Sequence, residues 1–223
     1  MYFNQMLYFA LLKDSGDDYM IALDYIINFT NPFDLNLVAA KLFSAMSDSD
    51  FKNIISTPGL IMYGSENSDK IVITPVQFRY MIQREYIFEE VPKVLPSVMK
   101  AYTCMLPENS IYYFLLRFAD IMQVKDGSSS FISQKPARDF LYGKELGNID
   151  GVGYRFLRKK VLDIETYDEF KVEPWMQDEK YFFFEGIYHL KAKTDESVSA
   201  LFESAYNTFE EMKKESASTL IKE

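Results

Sequence analysis

Residues 110–124 read Ser-Ile-Tyr-Tyr-Phe-Leu-Leu-Arg-Phe-Ala-Asp-Ile-Met-Gln-Val, a run that is apolar at odd and even positions alike. Side chains alternate between the faces of a strand. Tyr112, Phe114, Leu116, Phe118 and Met122 therefore share one side, and Ile111, Tyr113, Leu115, Ala119 and Ile121 the other. Such a pattern predicts a central strand covered by helices rather than an edge strand. Arg117 and Asp120 interrupt it on opposite faces, and at that depth each needs a partner.

The remaining pattern groups around this strand. Residues 5–12 and 19–29 are strand-like, and the polar loop 13–18 between them predicts a hairpin. Asp34 stands as the cap of a helix whose Leu35, Val38, Ala39, Leu42, Phe43 and Met46 recur at helical spacing. Residues 59–64 and 70–82 predict a second strand pair, with Pro75 marking a bulge or an edge. Val91, Val94, Leu95, Val98 and Tyr102 predict a helix over 88–105, in which Pro92 suits a first turn and Pro96 implies a kink or a later start. After the central strand, the Lys-Asp-Gly-Ser-Ser-Ser segment 125–130 predicts a mobile loop, followed by a short helix over 136–142 that Gly143 ends. The glycine-rich turn 147–153 leads into a strand over 154–164, and further strands are expected at 169–172 and 180–190. The single tryptophan, Trp175, falls in the loop between those two, either as an anchor for a partner or folded back over the core. A long helix from about residue 195 carries Val198, Leu201, Phe202, Ala205, Phe209 and Met212 on one face, with a tail expected to fray beyond about 216.

This order predicts an α+β fold: a mainly antiparallel, twisted sheet built from β-β-α units, with helices mostly on one face. Residues 1–223 are expected to form one domain, any sub-division falling near 125–130. Composition supports a packed fold, with 48% hydrophobic and 16% aromatic residues. A net charge of −9 argues against nonspecific nucleic-acid binding, although Arg155, Arg158, Lys159 and Lys160 form a local basic group. The apolar N-terminus lacks a basic leader and a cleavage site, and no run approaches the roughly 18 uncharged residues of a membrane span, so a cytoplasmic protein is expected. The lone cysteine, Cys104, has no internal disulfide partner, in keeping with a reducing compartment.

Chemistry is sparse. One histidine, His189, rules out sites that need two imidazoles, and no nucleophile elbow, kinase signature or dinucleotide fingerprint occurs. No motif implies a cofactor, a metal or a catalytic residue. Arg79, Arg117 and Arg155 are spaced 38 residues apart, each before an aromatic, and Ile73, Ile111 and Ile149 keep the same step, as in a repeated unit or in three strands of similar composition. Arg117, Asp120 and Arg155 are thus the candidate functional polar residues, and Trp175 the candidate partner contact. Arg117 is expected to meet a carboxylate such as Asp163 or Glu185, carbonyl oxygens, or an anionic ligand.

Leu116-Arg117-Phe118-Ala119-Asp120, set among a hairpin, a helix, later aromatic strands and a long terminal helix, resembles a sporadically distributed family of uncharacterised prokaryotic proteins. In that family the strand reads Leu-Arg-Tyr-x-Asn. Phe118 and Asp120 depart from this in the aromatic and the amide. The resemblance covers most of residues 55–215 and implies the fold, with no activity, substrate or cofactor. Two functions stand open. One is a non-enzymatic interaction or regulatory protein with a protein partner, such as an accessory, inhibitor or immunity factor of a defence or mobile-element system. The other is a small-ligand binder or hydrolase using Arg117 and nearby carboxylates in a cleft between sheet and helices. The aromatic stretch 181–188 and the terminal helix each offer a homodimer face.

Overall fold

A computed structural model describes residues 20–106, 110–124, 127–140, 151–162, 165–193 and 198–220. The expected strand 5–12 and its loop lie outside these residues, as do Gly143, Ile149, Asp163 and the start of the glycine-rich turn.

Nine antiparallel strands form one sheet: β1 (Ala22–Asn28), β2 (Lys52–Thr57), β3 (Leu60–Gly64), β4 (Lys70–Thr74), β5 (Gln77–Ile82), β6 (Ile111–Gln123), β7 (Tyr154–Val161), β8 (Glu165–Pro174) and β9 (Tyr181–Lys193). Their spatial order is β2-β3-β4-β5-β1-β6-β9-β8-β7. Two meanders, β2 to β5 and β7 to β9, are joined through β1 and β6 at the centre. Both neighbours of β6 pair with it antiparallel, β1 from Ala22 to Ile27 and β9 along the whole strand. One sheet thus holds strands from before and after residues 125–130.

Four helices cover one face: α1 (Leu35–Met46), α2 (Val91–Thr103), α3 (Ser129–Phe140) and α4 (Ser199–Leu220). The Asp34 carboxylate accepts a hydrogen bond from the Asn36 backbone N–H at 3.0 Å, the N-cap that the sequence indicates. A 3-10 turn, Phe88–Glu90, leads into α2. Pro92 occupies the first turn of α2, where its missing N–H costs nothing, and Pro96 lies inside the helix. Residues at odd positions of β1 and even positions of β6 and β9 meet these helices. Leu23, Tyr25, Leu116, Phe118 and Phe184 are fully buried there with Leu42, Val98, Phe202 and Phe209. Gly186 permits the close approach of α4: a Cβ there would lie 2.6 Å from the Phe209 ring.

Among the described residues no helix lies on the opposite face of the sheet. One end of that face is covered where Trp175, Tyr181 and Ile121 pack with Ile21, Ala22, Ala119 and Phe183. Helices on one face, as the sequence pattern predicts, leave the two sides of β6 in different surroundings. One face of the strand lies under helices, while the other runs from the Trp175 cluster to the exposed Ile111 and Tyr113.

Several boundaries also differ. β2 was not foreseen, because Lys-Asn-Ile-Ile-Ser-Thr shows no alternation of burial. The stretch 70–82 is two strands, with Pro75 and Val76 in the turn between them rather than at a bulge. α3 begins at Ser129, inside the expected loop, and holds Pro136 in its interior. α4 extends through residue 216 to Leu220, which is itself buried and secures the expected fraying end. The homodimer faces foreseen at 181–188 and on the terminal helix are both occupied within the chain. β9 has a strand on each side, and Phe202, Ala205 and Phe209 of α4 are buried on the sheet.

Candidate functional site

The helix-free face is where the candidate arginines converge. Across six strands runs an alternating chain of charges: Arg79 (β5), Asp24 (β1), Arg117 (β6), Glu185 (β9), Lys171 and Glu169 (β8), and Arg155 (β7). Sheet register builds it. Asp24 stands directly opposite Arg117, and Lys171 opposite Glu185. Lys171 and Glu169 stand two residues apart on β8, and the remaining links are diagonal, a spacing that long side chains span.

Each carboxylate divides its two oxygens between two cations. Asp24 Oδ1 accepts from Arg79 Nε at 2.9 Å and Nη2 at 2.7 Å, and its Oδ2 from Arg117 Nη1 at 3.1 Å. Glu185 Oε1 accepts from Arg117 Nε at 2.6 Å, and its Oε2 from Lys171 Nζ at 2.7 Å. Glu169 joins Lys171 Nζ at 2.9 Å and Arg155 Nη2. The carboxylates lie deeper than most of the cations: Asp24 is 3% exposed, whereas Arg155 is 60%.

This burial sets the protonation states. It pushes the Glu185 carboxyl up, but Lys171 and Arg117 outweigh it and hold the group below the usual carboxylate range. Glu169 is held down first by its hydrogen bond from Arg155. Burial also opposes the Arg117 charge, and Glu185 and Asp24 more than offset it. At neutral pH, then, Glu185 and Glu169 hold no proton to give, and the Arg117 fork is committed to two carboxylates. The ladder can order six strands and present a fixed charge pattern. It does not resemble an acid–base pair.

Arg117 and Arg155 thus belong to one network, linked through Glu185, Lys171 and Glu169. Asp120 lies on the other face, between β6 and α4. Its Oδ2 accepts from Lys213 Nζ at 2.8 Å, and Glu210 Oε1 accepts from the same nitrogen at 2.6 Å. All three are at most 8% exposed. Burial opposes the Lys213 charge, but the two carboxylates raise its pKa above the ordinary lysine value. The expected cleft between sheet and helices lined by Arg117 is not formed, because Arg117 occupies the register that faces away from the helices. Trp175, 6% exposed and edge-on to Phe183 at 6.1 Å, is the ring folded back over the core rather than a projecting anchor.

The 38-residue spacing acquires a physical meaning without a repeat. Arg79, Arg117 and Arg155 all stand in the ladder, yet Ile73 falls on β4, one strand before Arg79, while Ile111 shares β6 with Arg117. Sequence reading missed Asp24, Lys171, Lys213 and Glu210. Two of these left a signal: Asp24 interrupts the apolar run Ile21 to Ile27, and Lys213 continues the apolar stripe four residues after Phe209.

The β7–β8 end differs from the rest. β7 is the last strand among those described, and Phe156, Leu157 and Val161 are 46%, 54% and 71% exposed on its two faces. Its bases are each matched by an acid of β8: Arg155 by Glu169, Lys159 by Glu165, and Arg158 and Lys160 by Asp168. They form no uncompensated basic surface of the kind a phosphate backbone needs. Among the described residues no group of acidic, histidine or cysteine side chains is arranged to hold a metal, and no helix is long and apolar enough to cross a membrane. Compared with protein-family models, curated proteins and solved structures, the chain matches none.

Proposed function

We propose that this protein is a non-catalytic interaction module that takes a protein partner on the edge of β7. The observation that carries this reading is the edge itself: eight residues with exposed apolar side chains on both faces. An outer strand offers unpaired backbone donors and acceptors, to which an extended segment of another chain can add as a further strand. Alternate side chains then supply specificity. Four exposed or half-exposed bases within the strand favour an acidic segment, since their pairs with β8 can be shared or exchanged at the surface. The same bases disfavour a second copy of β7, which would bring like charges opposite one another. Backbone pairing with β8 over all eight residues holds β7 in register for such docking.

The test is affinity capture from the native host with a triple variant, Phe156→Thr, Leu157→Thr and Val161→Thr. Threonine keeps strand propensity and removes apolar contact. Ile54→Thr, at the exposed Ile54 of the opposite edge strand β2, serves as the control. A partner kept by the control and lost by the triple variant is expected. Retention by both would refute the β7 edge as the docking site.

A further inference from the structure

Between the 3-10 turn with the start of α2 and the first half of α4 lies a cleft of about 450 Å³. Its floor is apolar: Val91, Leu95 and Phe202 are each 1% exposed. One wall is the Phe88 and Tyr206 ring pair, parallel within 1° and 3.9 Å apart between centroids. Two acids, Glu89 and Glu203, stand on the rim, one from each side of the cleft, and no basic residue lines it. Among the described residues neither acid has an ion-pair partner, whereas the adjacent Glu90 is engaged by Arg84 at 2.8 Å.

We propose that this cleft is a binding site for a small amphiphilic cation, a flat apolar body carrying one ammonium group. The volume falls in the range of small-molecule sites, which are about 300–1,000 Å³ and apolar with a few convergent polar groups. The aromatic wall and aliphatic floor match a ring or a short hydrocarbon body. The paired rim carboxylates select the sign of the charge, rejecting an anion of the same shape. Acidic residues near helix starts also complement helix dipoles, and that role alone would need neither the apolar cleft nor acids lining it from two separate elements. The site lies on the helical face of the sheet, away from β7, so it stands or falls independently of the docking edge.

Tryptamine, 3-methylindole and indole-3-propionate share one ring and differ in charge, so calorimetric titration of the full chain with each reads the selection directly. Tryptamine is expected to bind, 3-methylindole more weakly and indole-3-propionate not at all. Each rim carboxylate contributes up to about fivefold, the worth of one partly exposed ion pair, so the Glu89→Gln, Glu203→Gln double variant should bring tryptamine down to the level of 3-methylindole. Both positions are exposed, and unchanged thermal unfolding of the variant shows that its fold is kept. Asn207→Trp, also at an exposed rim position, should block all three compounds. Equal binding of the three ligands, tryptamine binding that stays at its parent level in the double glutamine variant or survives Asn207→Trp, or no binding of tryptamine to the parent protein would each overturn the proposal.

Discussion

Two ion networks flank the same central strand, and they differ in almost every respect that decides what a charge contributes. On the helix-free face the ladder joins seven groups, most of them touching solvent, and each inner member has two partners. On the helical face, Asp120, Lys213 and Glu210 form a buried triad around one ammonium. Removing a member of the ladder leaves its neighbours with other partners and with water. Removing Lys213 takes away the ammonium that two buried carboxylates share. The lesson is that connectivity and exposure, rather than the number of ion pairs, set the cost of breaking them.

The largest expected effect is therefore at Lys213. Lys213→Met should cost about 3–5 kcal/mol, the usual result of breaking a buried ion pair by removing one partner. For a chain of this size that lowers the melting temperature by roughly 10 °C. Adding Asp120→Asn and Glu210→Gln to the same chain should recover much of the loss. A drop of under about 1 kcal/mol in urea unfolding of Lys213→Met would show that water reaches the triad.

Titration sharpens the contrast, because the two networks fail at opposite ends of the pH scale. The Lys213 pKa is raised in the folded state, so its contribution is fully present below the ordinary lysine value of about 10.4 and is lost as pH rises through the folded value. Glu185 and Glu169 are held below their ordinary value of about 4.3, so their contribution is present above it and is lost as pH falls through their folded values. Lys213→Met should flatten the alkaline limb of the stability profile and leave the acid limb in place. Glu185→Gln should flatten the acid limb instead. Unchanged profiles in both variants would mean that neither network contributes through charge.

Arg117→Met ranks next. Asp24 keeps Arg79, and Glu185 keeps Lys171, so the loss should be about 1–2 kcal/mol, above an exposed pair and below the buried triad. Raising ionic strength from 0.05 to about 0.5 M should shrink the Arg117→Met effect by screening and leave the Lys213→Met effect intact. Equal losses in the two variants would erase the distinction between the faces.

How much of this was legible in the sequence follows from which interactions are local. The β6 pattern, the Asp34 cap and the α4 stripe all depend on near neighbours in the chain, and the structure places each where periodicity puts it. β2 escaped because an edge strand exposed on both faces has no alternation to read. The ladder escaped because its partners are brought together by register: Arg117 and Asp24 are 93 positions apart, and Arg117 and Glu185 are 68. What could be read was the need, a guanidinium in the middle of a strand requiring a carboxylate. Glu185 was among the partners that need implied. Trp175 shows the opposite case, since a loop position says nothing of which surface the loop folds against.

The smallest expected effect is at the end of the ladder. Arg155 is its most exposed member and binds a single carboxylate, Glu169, which keeps Lys171 when Arg155 is gone. Arg155→Ala should therefore leave the melting temperature unchanged within measurement error. If the ladder acted as one cooperative unit across six strands, however, removing either end would propagate to Arg117, and Arg155→Ala would destabilise as much as Arg117→Met. A double-mutant cycle between these two arginines separates the cases, because they share no carboxylate and stand at opposite ends of the Glu185–Lys171–Glu169 segment. A coupling energy near zero would establish a string of independent pairs. A large coupling energy would mean that β7 is held in place by a charge array reaching to the centre of the sheet, and that docking at its edge could be felt at Arg117.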